Sequence, residues 1–331
     1  MLNSPLSNRT FYFSHGRTAL KYGLLSLNFK TGNELLIPDF ICSVVLDPLS
    51  QLGIKVKYYP INAELEPVWE ELDLLVDENT KGILMVHFFG RPQNILKFEN
   101  FCAKNSLLLI EDNAHGHGGK FEGKLLGTFG DIGFSSPRKG FNICSGGILF
   151  WNRKDLILPE IPELPEYPVN FHENVYRYVS KFIPKIKPFL KIVFKSRPGF
   201  EDPFAFQEAR INDYCMDSIS KTDFLNIDLD KVQNERQKAY FAWASFAEKN
   251  NLLPVFKSLN NEGIPQCFPA YVKNEEIAER WFDWGWKHRH HVYSWPSLPL
   301  EIINQNKNAF NRWKHLVCFS TSSYPKTKNR V

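Results

Sequence analysis

The first half of the chain alternates short apolar runs with segments of helical periodicity, and this alternation is the strongest constraint on the fold. Apolar strands separated by helices build mostly parallel sheets, because each helical crossover returns the chain to the same end of the sheet. The sequence therefore predicts an α/β fold with a mostly parallel central sheet covered by helices. The predicted strands are residues 34–37, 54–59, 82–87, 106–110, 131–135 and 147–151. The predicted helices are residues 17–28, 41–52, 67–77 and 93–104.

Polar and aromatic residues follow the predicted strands at their carboxyl ends. Open α/β sheets bind ligands in the crevice beyond these ends, so the side chains there are candidate functional residues. Asp39 and Phe40 follow the first strand, His87 and Phe88 the third, Asp112 and His115 the fourth, and Lys139 the fifth. We therefore expect a site that combines carboxylate, imidazole and aromatic groups with one lysine.

The second half of the chain has a less regular pattern. Clusters of proline over residues 158–208 indicate a loop-rich excursion. A long helix is predicted directly after Asp228, and mixed strands and helices follow it. The sequence therefore predicts a large α/β domain over residues 1–227 and a smaller C-terminal α+β domain over residues 228–331.

Residues 180–197, inside the excursion, interleave lysines with Phe, Ile and Leu at roughly helical spacing. Such a basic amphipathic stretch can lie on a membrane surface or lead toward a lipid-linked anionic substrate. It is also typical of a helix that covers a core and turns its lysines to water. We favour the second interpretation over membrane association, and lipid co-sedimentation would separate the two.

Composition argues against several classes of function. A net charge of +4 over 331 residues is too small to indicate nucleic-acid binding. The six cysteines show no C-x-x-C pairing and no metal-ligand spacing with histidine, so we expect a reduced protein without a metal site. The chain also lacks a signal-peptide pattern and an apolar run long enough to span a membrane. We therefore expect a cytoplasmic protein.

The residues after the strands offer the parts that pyridoxal 5′-phosphate (PLP) chemistry requires. These are a lysine for a Schiff base, an acid for the pyridine nitrogen, donors for the phosphate and a flat contact for the ring. Lys139 and Asp112 are candidates for the first two. The stretch "SHGRTAL" (residues 14–20) begins a helix, where free N–H groups favour a phosphate, and Ser135 can add a hydroxyl. Each signal alone has a structural explanation, such as a helix N-cap for Asp112.

Together these motifs resemble the DegT/DnrJ group of nucleotide-sugar aminotransferases, which are PLP enzymes of fold type I. The similarity covers the first half of the chain well and continues more faintly through "ARINDYCMDSIS" and the helix with Arg236. Its specific part is the block "EDNAHGHG", followed by GD-x-x-x-S and then by a lysine that six residues separate from a glycine pair. The matching stretches are "GRTAL", "ELLIPDFIC", "VHFFG", "IEDNAHGHGGKFEGKLLGTFGDIGFSS" and "RKGFNICSGG".

The resemblance implies roles for individual residues. Lys139 would be the Schiff-base lysine, Asp112 would pair with the pyridine nitrogen, and His115 would lie beside the ring. A homodimer is implied as well, in which the partner chain completes each site. The cofactor-binding candidates, including two aromatic residues for ring stacking, are Gly16, Arg17, Thr18, Phe40, Phe88, Asp112, His115, Ser135, Lys139 and Asn212.

The chain departs from the family pattern at several positions. Ser136 stands where an aromatic residue is usual, and Ser145 stands where an acid usually precedes the paired glycine. Cys42 replaces the aromatic residue that often covers the ring, so Phe40 or Phe88 becomes the candidate for that contact. The segment "LVCFSTSS" lacks the usual His-Gln ending. Because these positions face substrate more than cofactor, they leave substrate identity less determined than PLP binding.

The favoured function is transfer of an amino group from glutamate to a keto-sugar attached to a nucleotide, by a ping-pong cycle. An intact Lys139 favours this over a dehydrating branch of the family, in which a histidine replaces the lysine. The aromatic segment 282–299 either lines a sugar or nucleotide pocket or packs in the small domain. Three alternatives stay open: a PLP enzyme with another amino or keto substrate, a PLP-fold protein that binds without turnover, and a peripheral membrane enzyme of polymer assembly.

Overall fold

The computed structural model describes residues 9–182, 212–295 and 297–325. A seven-stranded sheet lies at the centre of the first half, and a separate two-stranded hairpin accompanies it. In chain order the strands are β1 (Thr10–Phe13), β2 (Glu34–Pro38), β3 (Lys55–Tyr59), β4 (Thr80–Val86), β5 (Leu108–Asn113), β6 (Lys120–Phe121), β7 (Lys124–Leu125), β8 (Ile132–Ser135) and β9 (Gly147–Trp151). The hairpin consists of β6 and β7.

The order of strands in the large sheet is β1-β9-β8-β5-β4-β2-β3. Strands β2, β3, β4, β5 and β8 pair in parallel, whereas β9 is antiparallel to β8 and β1 is antiparallel to β9. The carboxyl ends of the five parallel strands therefore meet at one edge, which is where this class of sheet binds ligands.

Helices connect β2 to β3, β3 to β4 and β4 to β5. Asn94 caps the helix between β4 and β5, because its side chain accepts a hydrogen bond from the N–H of Lys97. At the other end of this helix, Ser106 is the C-cap in the left-handed conformation. The helices of this half are α1 (Gly16–Ser26), α2 (Leu46–Gln51), α3 (Trp69–Leu72), α4 (Ile95–Asn105) and α5 (Phe171–Phe182).

The structure confirms all six predicted strands, and it also shows where the sequence pattern was insufficient. The predicted helix 41–52 is a 3₁₀ turn at Ser43–Val45 followed by the short α2, and the predicted helix 67–77 is α3 followed by a 3₁₀ turn at Asp73–Leu75. Strand β1 was not predicted. It has four residues, too few for a periodic signal, and its pairing with β9 joins residues far apart in sequence.

The second half forms a four-stranded antiparallel sheet with helices around it. Its strands are β10 (Leu253–Pro254), β11 (Cys267–Tyr271), β12 (Val292–Tyr293) and β13 (Leu316–Ser320), in the order β10-β11-β13-β12. Its helices are α6 (Ser218–Leu225), α7 (Leu229–Lys249), α8 (Glu275–His288), α9 (Leu300–Gln305) and α10 (Lys307–His315). The side chain of Asp228 caps α7. The division into two domains at this residue stays a prediction.

One hydrophobic core joins the large sheet to part of the second half. Phe40, which follows β2, packs in the same buried cluster as Trp295 and Trp313. A second cluster around Trp243 and Trp281 lies within the C-terminal part. The shared core fixes the segment after β12 beside the carboxyl edge of the large sheet.

Two sequence-based expectations concern membranes and metals. Residues 183–197 of the basic amphipathic stretch lie outside the described residues, so both interpretations of that stretch stay open. In the three described ranges, no helix combines the length and apolar character needed to cross a membrane. In the same ranges, no group of His, Cys, Asp and Glu side chains is arranged to hold a metal ion.

Candidate active site

A cleft opens beyond the carboxyl ends of β4, β5 and β8. The space between its walls is about 750 Å³, part of which is open to solvent. Five of the residues predicted from the sequence line this cleft. They are Gly16, Arg17, Asp112, His115 and Lys139.

Lys139 lies in a 3₁₀ turn, Pro137–Lys139, that directly follows β8. Proline at the first position of the turn fixes its backbone angle φ. The N–H of Lys139 donates a hydrogen bond of 3.0 Å to the carbonyl oxygen of Ser136. The side chain is exposed, and its Nζ lies 3.4 Å from Nε2 of His115. A primary amine is thus presented to the cleft from a short, constrained turn.

Asp112 lies near the carboxyl end of β5, on the floor of the cleft, and is almost fully buried. Its Oδ1 accepts a hydrogen bond of 2.8 Å from the N–H of Ala114. Burial raises the pKa of the Asp112 carboxyl above its ordinary value, while the positive charge of Lys139 and the Ala114 hydrogen bond oppose the rise. A buried carboxyl of this kind gains from a cationic partner, such as a protonated ring nitrogen.

The imidazole of His115 is held between aromatic rings. It stacks on Phe89 at a centroid distance of 5.9 Å and meets the ring of Trp295 edge-on at 5.3 Å. Its Nδ1 accepts a hydrogen bond of 3.3 Å from the N–H of Phe89. Burial, and secondarily the charge of Lys139, lowers the pKa of His115 well below its ordinary value. The ring is therefore neutral at pH 7 and offers a flat face to the cleft.

The first turn of α1 provides a place for an anion. His15 occupies the N-cap position without a side-chain capping bond, and the turn contains no acidic residue. Gly16 and Arg17 line the cleft, and Arg17 forms an ion pair with Asp47 at 3.2 Å. Because the start of a helix carries a partial positive charge, this corner favours a phosphate group.

A glycine of β9 makes this corner possible. A Cβ atom on Gly147 would lie 2.1 Å from the carbonyl carbon of His15 and 2.7 Å from the backbone nitrogen of Gly16. Only a residue without a side chain lets β9 pass this close to the start of α1.

The other predicted site residues do not line the cleft. Ser135 is fully buried, and its hydroxyl lies 2.8 Å from Nδ1 of His117, whereas the adjacent Ser136 reaches the cleft. The N–H of Thr18 is already bonded to the carbonyl of His15 inside the helix. Asn212 is exposed on the surface. The pleat of β8 and the turn after it decide which serine faces the cleft, and the sequence alone does not show this.

The two aromatic candidates for ring stacking are buried behind the cleft. Phe40 and Phe88 pack against Trp295 at centroid distances of 4.9 and 5.7 Å. Trp295 itself lines the cleft, although it comes from the distant segment after β12. Phe40 and Phe88 therefore support the wall that Trp295 presents.

Sequence reasoning missed several residues that line the cleft. Cys42 lines it at the position where the family pattern has an aromatic residue. His15 directly precedes the helix start, and Arg138 directly precedes Lys139, so proximity to a recognised motif was the available signal. Trp295 belongs to the aromatic segment 282–299, for which the sequence left pocket lining and packing open. Phe282 and Trp284 of the same segment pack in the C-terminal core.

The side chains of the cleft fit a phosphorylated pyridine aldehyde such as PLP. Asp112 suits the ring nitrogen, His115 offers a neutral flat face, and Lys139 offers an amine. The uncapped start of α1, with Arg17 beside it, suits the phosphate. No metal is needed for this combination of groups.

Comparison with known proteins gives a family match over the large sheet. Residues 10–158 match the model of the DegT/DnrJ/EryC1/StrS aminotransferase family. This range begins at β1, ends after β9, and contains the start of α1, Asp112, His115 and Lys139.

Two curated relatives illustrate the range of similarity. GDP-perosamine synthase of Vibrio cholerae is 29% identical over 316 residues, which cover 90% of this chain and 85% of the relative. GDP-4-keto-6-deoxy-D-mannose 3-dehydratase of Escherichia coli O55:H7 is 36% identical over 109 residues, which cover 32% of this chain and 28% of the relative. The second match thus spans less than a third of that protein.

A solved structure supports the fold. NtdA from Bacillus subtilis with its bound cofactor PMP superimposes with a TM-score of 0.62 at 17% sequence identity, covering 95% of this chain and 69% of that chain. At this identity the likeness concerns the fold alone. The predicted fold class, the fold-type I α/β architecture with a mostly parallel central sheet, is confirmed.

Proposed function

We propose, since the chain belongs to the DegT/DnrJ/EryC1/StrS aminotransferase family, that it transfers an amino group to a nucleotide-linked keto-sugar with PLP as its cofactor. The observation that carries the proposal is the convergence of Lys139, Asp112, His115 and the start of α1 on one cleft. These groups come from three separate segments, and each group supplies a different part of PLP chemistry.

PLP, when bound, withdraws electrons from the substrate carbon, so that a proton can leave this carbon and return elsewhere. Asp112 holds the pyridine nitrogen and keeps it protonated. His115 lies against the ring. The first turn of α1, at Gly16 and Arg17, holds the phosphate, and Ser136 takes the part for which the sequence suggested Ser135.

Lys139 has two tasks in this proposal. Its amine would hold the cofactor in the resting enzyme, and it would take a proton from the substrate carbon and return it. The turn Pro137–Lys139 keeps the amine at the cleft, 3.4 Å from Nε2 of His115. An intact lysine favours amino transfer over dehydration, although one relative is a 3-dehydratase.

The substrates and the assembly are part of the same proposal. A relative whose match covers 90% of this chain is named GDP-perosamine synthase, and this name supports a nucleotide-linked keto-sugar as amino acceptor. Glutamate is the proposed donor in a ping-pong cycle. We also propose a cytoplasmic homodimer in which exposed residues such as Asn212 contribute to the partner's cleft.

A visible absorption spectrum tests the function directly. The purified protein should become yellow with added PLP, and L-glutamate should bleach this absorbance as the amino group passes to the cofactor. The variant Lys139→Ala should lose the lysine-dependent band, whereas the matched variant Lys154→Ala, at a residue away from the cleft, should keep both responses. An unchanged band in Lys139→Ala would contradict the assignment of the lysine. A wild-type band that ignores glutamate would contradict the proposed donor.

A further inference from the structure

Arg236 reaches from α7 into the segment that carries Lys139. Its Nη2 donates a hydrogen bond to the carbonyl oxygen of Gly140, the residue that follows Lys139. Its guanidinium lies over the ring of Phe141 at 5.5 Å from the centroid. Both residues directly after the lysine are therefore in contact with one side chain from the C-terminal half.

This guanidinium lacks the carboxylate that other partly buried arginines have. Arg17 pairs with Asp47 and Arg177 with Asp217, but among the residues that the structure describes no Asp or Glu forms an ion pair with Arg236. Burial lowers the pKa of Arg236, and the nearby Tyr293 opposes the effect. Guanidinium groups nevertheless stay protonated in proteins, so a positive charge remains beside Gly140 without neutralisation.

A side chain at position 140 would crowd the guanidinium of Arg236. A Cβ atom on Gly140 would lie 3.1 Å from Nη2 and 3.3 Å from Nη1 of Arg236. Residues 140–146 contain no helix or strand, so the chain after Lys139 has little regular backbone bonding of its own. The arginine is thus the side chain that ties the exit of the Lys139 turn to a long helix.

We propose that Arg236 is a positioning residue for Lys139: it fixes the backbone of the two residues that follow the lysine. The inference rests on the proposed function, because Lys139 is the residue that it serves. Fixing the backbone holds the amine where the proton must be transferred, and a displacement of about 1 Å can cost roughly a hundredfold in rate.

The pH dependence separates positioning of the amine from simple packing. The groups that face the Lys139 nitrogen are Asp112 and His115 on the cleft side, with Arg138 beside it in the turn. Removing the side chain of Arg236 leaves these three in place. The pH midpoint of the visible absorbance of the PLP-loaded protein should then shift, because the nitrogen would be displaced relative to these three groups.

The experiment compares Arg236→Gln and Arg236→Lys with Arg280→Gln, which changes an exposed arginine on α8. Each PLP-loaded variant is titrated from acid to alkaline pH by visible absorbance. The maximal rate of bleaching by L-glutamate and the glutamate concentration for half the maximal rate are then measured. We expect Arg236→Gln to shift the midpoint and to lower the maximal rate by roughly tenfold or more, with little change in the half-saturating concentration. Arg236→Lys, which keeps a donor but loses the flat guanidinium, should give smaller changes of the same kind, and Arg280→Gln should change nothing.

Several outcomes would overturn the proposal. One is a midpoint and a maximal rate in Arg236→Gln equal to those of the wild type. Another is a raised half-saturating concentration with an unchanged maximal rate, because Arg236 would then bind substrate. If Arg236→Gln does not fold, Arg236→Lys carries the test: a lowered rate supports the proposal, and a wild-type rate and midpoint would contradict it. A wild-type protein that binds PLP but ignores glutamate would count against the proposed function, while the shift of the midpoint would still test Arg236.

Discussion

At the scale of single residues, Asp112 shows how burial prepares a carboxyl for a cationic partner. The group lies at the end of β5, is excluded from water, and has a raised pKa as a result. A protonated pyridine nitrogen in contact with it would compensate the cost of the buried charge. Burial disfavours the charged carboxyl of Asp112 when it is alone. The same burial therefore favours a protonated ring nitrogen beside it.

Asp112→Asn should preserve the fold and slow the reaction. The amide has nearly the same shape and can still accept the hydrogen bond from Ala114, but it cannot keep the pyridine nitrogen protonated. We expect the rate of bleaching by L-glutamate to fall roughly a hundredfold or more, with a melting temperature close to that of the wild type. Asp155→Asn, which changes an exposed acid paired with Arg153, is the control. A near-wild-type rate in Asp112→Asn would mean that another group contacts the ring nitrogen.

The serine assignment illustrates what residue-level reasoning can and cannot reach. The sequence assigned the phosphate-side hydroxyl to Ser135, the residue directly before Ser136. In the structure Ser135 faces His117 in the interior, while Ser136 faces the cleft. Side chains alternate between the faces of a strand, so a shift of one residue in where the strand ends exchanges the two environments.

At the scale of elements, the contact between β9 and the start of α1 positions the backbone N–H groups that are proposed to bind the phosphate. The backbone of His15 and Gly16 lies against Gly147, and the N–H of Gly146 donates to the carbonyl of Ser14 at 2.6 Å. Neither contact is local in sequence. The helix start can serve as the proposed anion site because the antiparallel strand β9 holds it in place.

Gly147→Ala should damage this corner. The new methyl group would overlap the backbone of His15, so the start of α1 must move. We expect unfolding in urea to show a loss of about 1–3 kcal/mol and the preference for PLP over unphosphorylated pyridoxal to fall. Gly263→Ala is the matched control, because the nearest atom to its added Cβ would be a carbonyl oxygen at 3.3 Å. Equal effects of the two substitutions on the PLP preference would contradict the role given to Gly147.

At the scale of the whole molecule, buried histidines couple the stability of the fold to pH. His117 is enclosed by the rings of Phe141, Phe150 and Phe224, and burial lowers its pKa from 6.5 to about 4. The unfolded chain therefore binds a proton at this residue between pH 6.5 and pH 4, whereas the folded chain does not. The contribution of the neutral His117 to the free energy of unfolding is therefore complete above pH 6.5 and is lost as the pH falls toward 4.

The free energy of unfolding should decrease by about 3 kcal/mol from His117 alone between pH 6.5 and pH 4. The measurement is urea unfolding of the PLP-loaded protein at several pH values, compared with His117→Gln, which removes the titrating ring. The variant should lose part of the slope. A second readout is the NMR titration of the His117 ring, and a midpoint near 6.5 would show that the imidazole is not buried from water.

The sequence by itself determined the α/β class, the six central strands and the residues Asp112, His115 and Lys139. It did so because buried parallel strands read as apolar runs and because active groups follow their carboxyl ends. Only the tertiary structure decided which serine faces the cleft, that Trp295 forms its wall, and that Arg236 contacts the turn of the lysine. The last two features depend on contacts between segments more than 90 residues apart, and periodicity within a short window carries no record of such contacts. The serine depends on the residue at which β8 ends, which the sequence pattern does not fix to within one position.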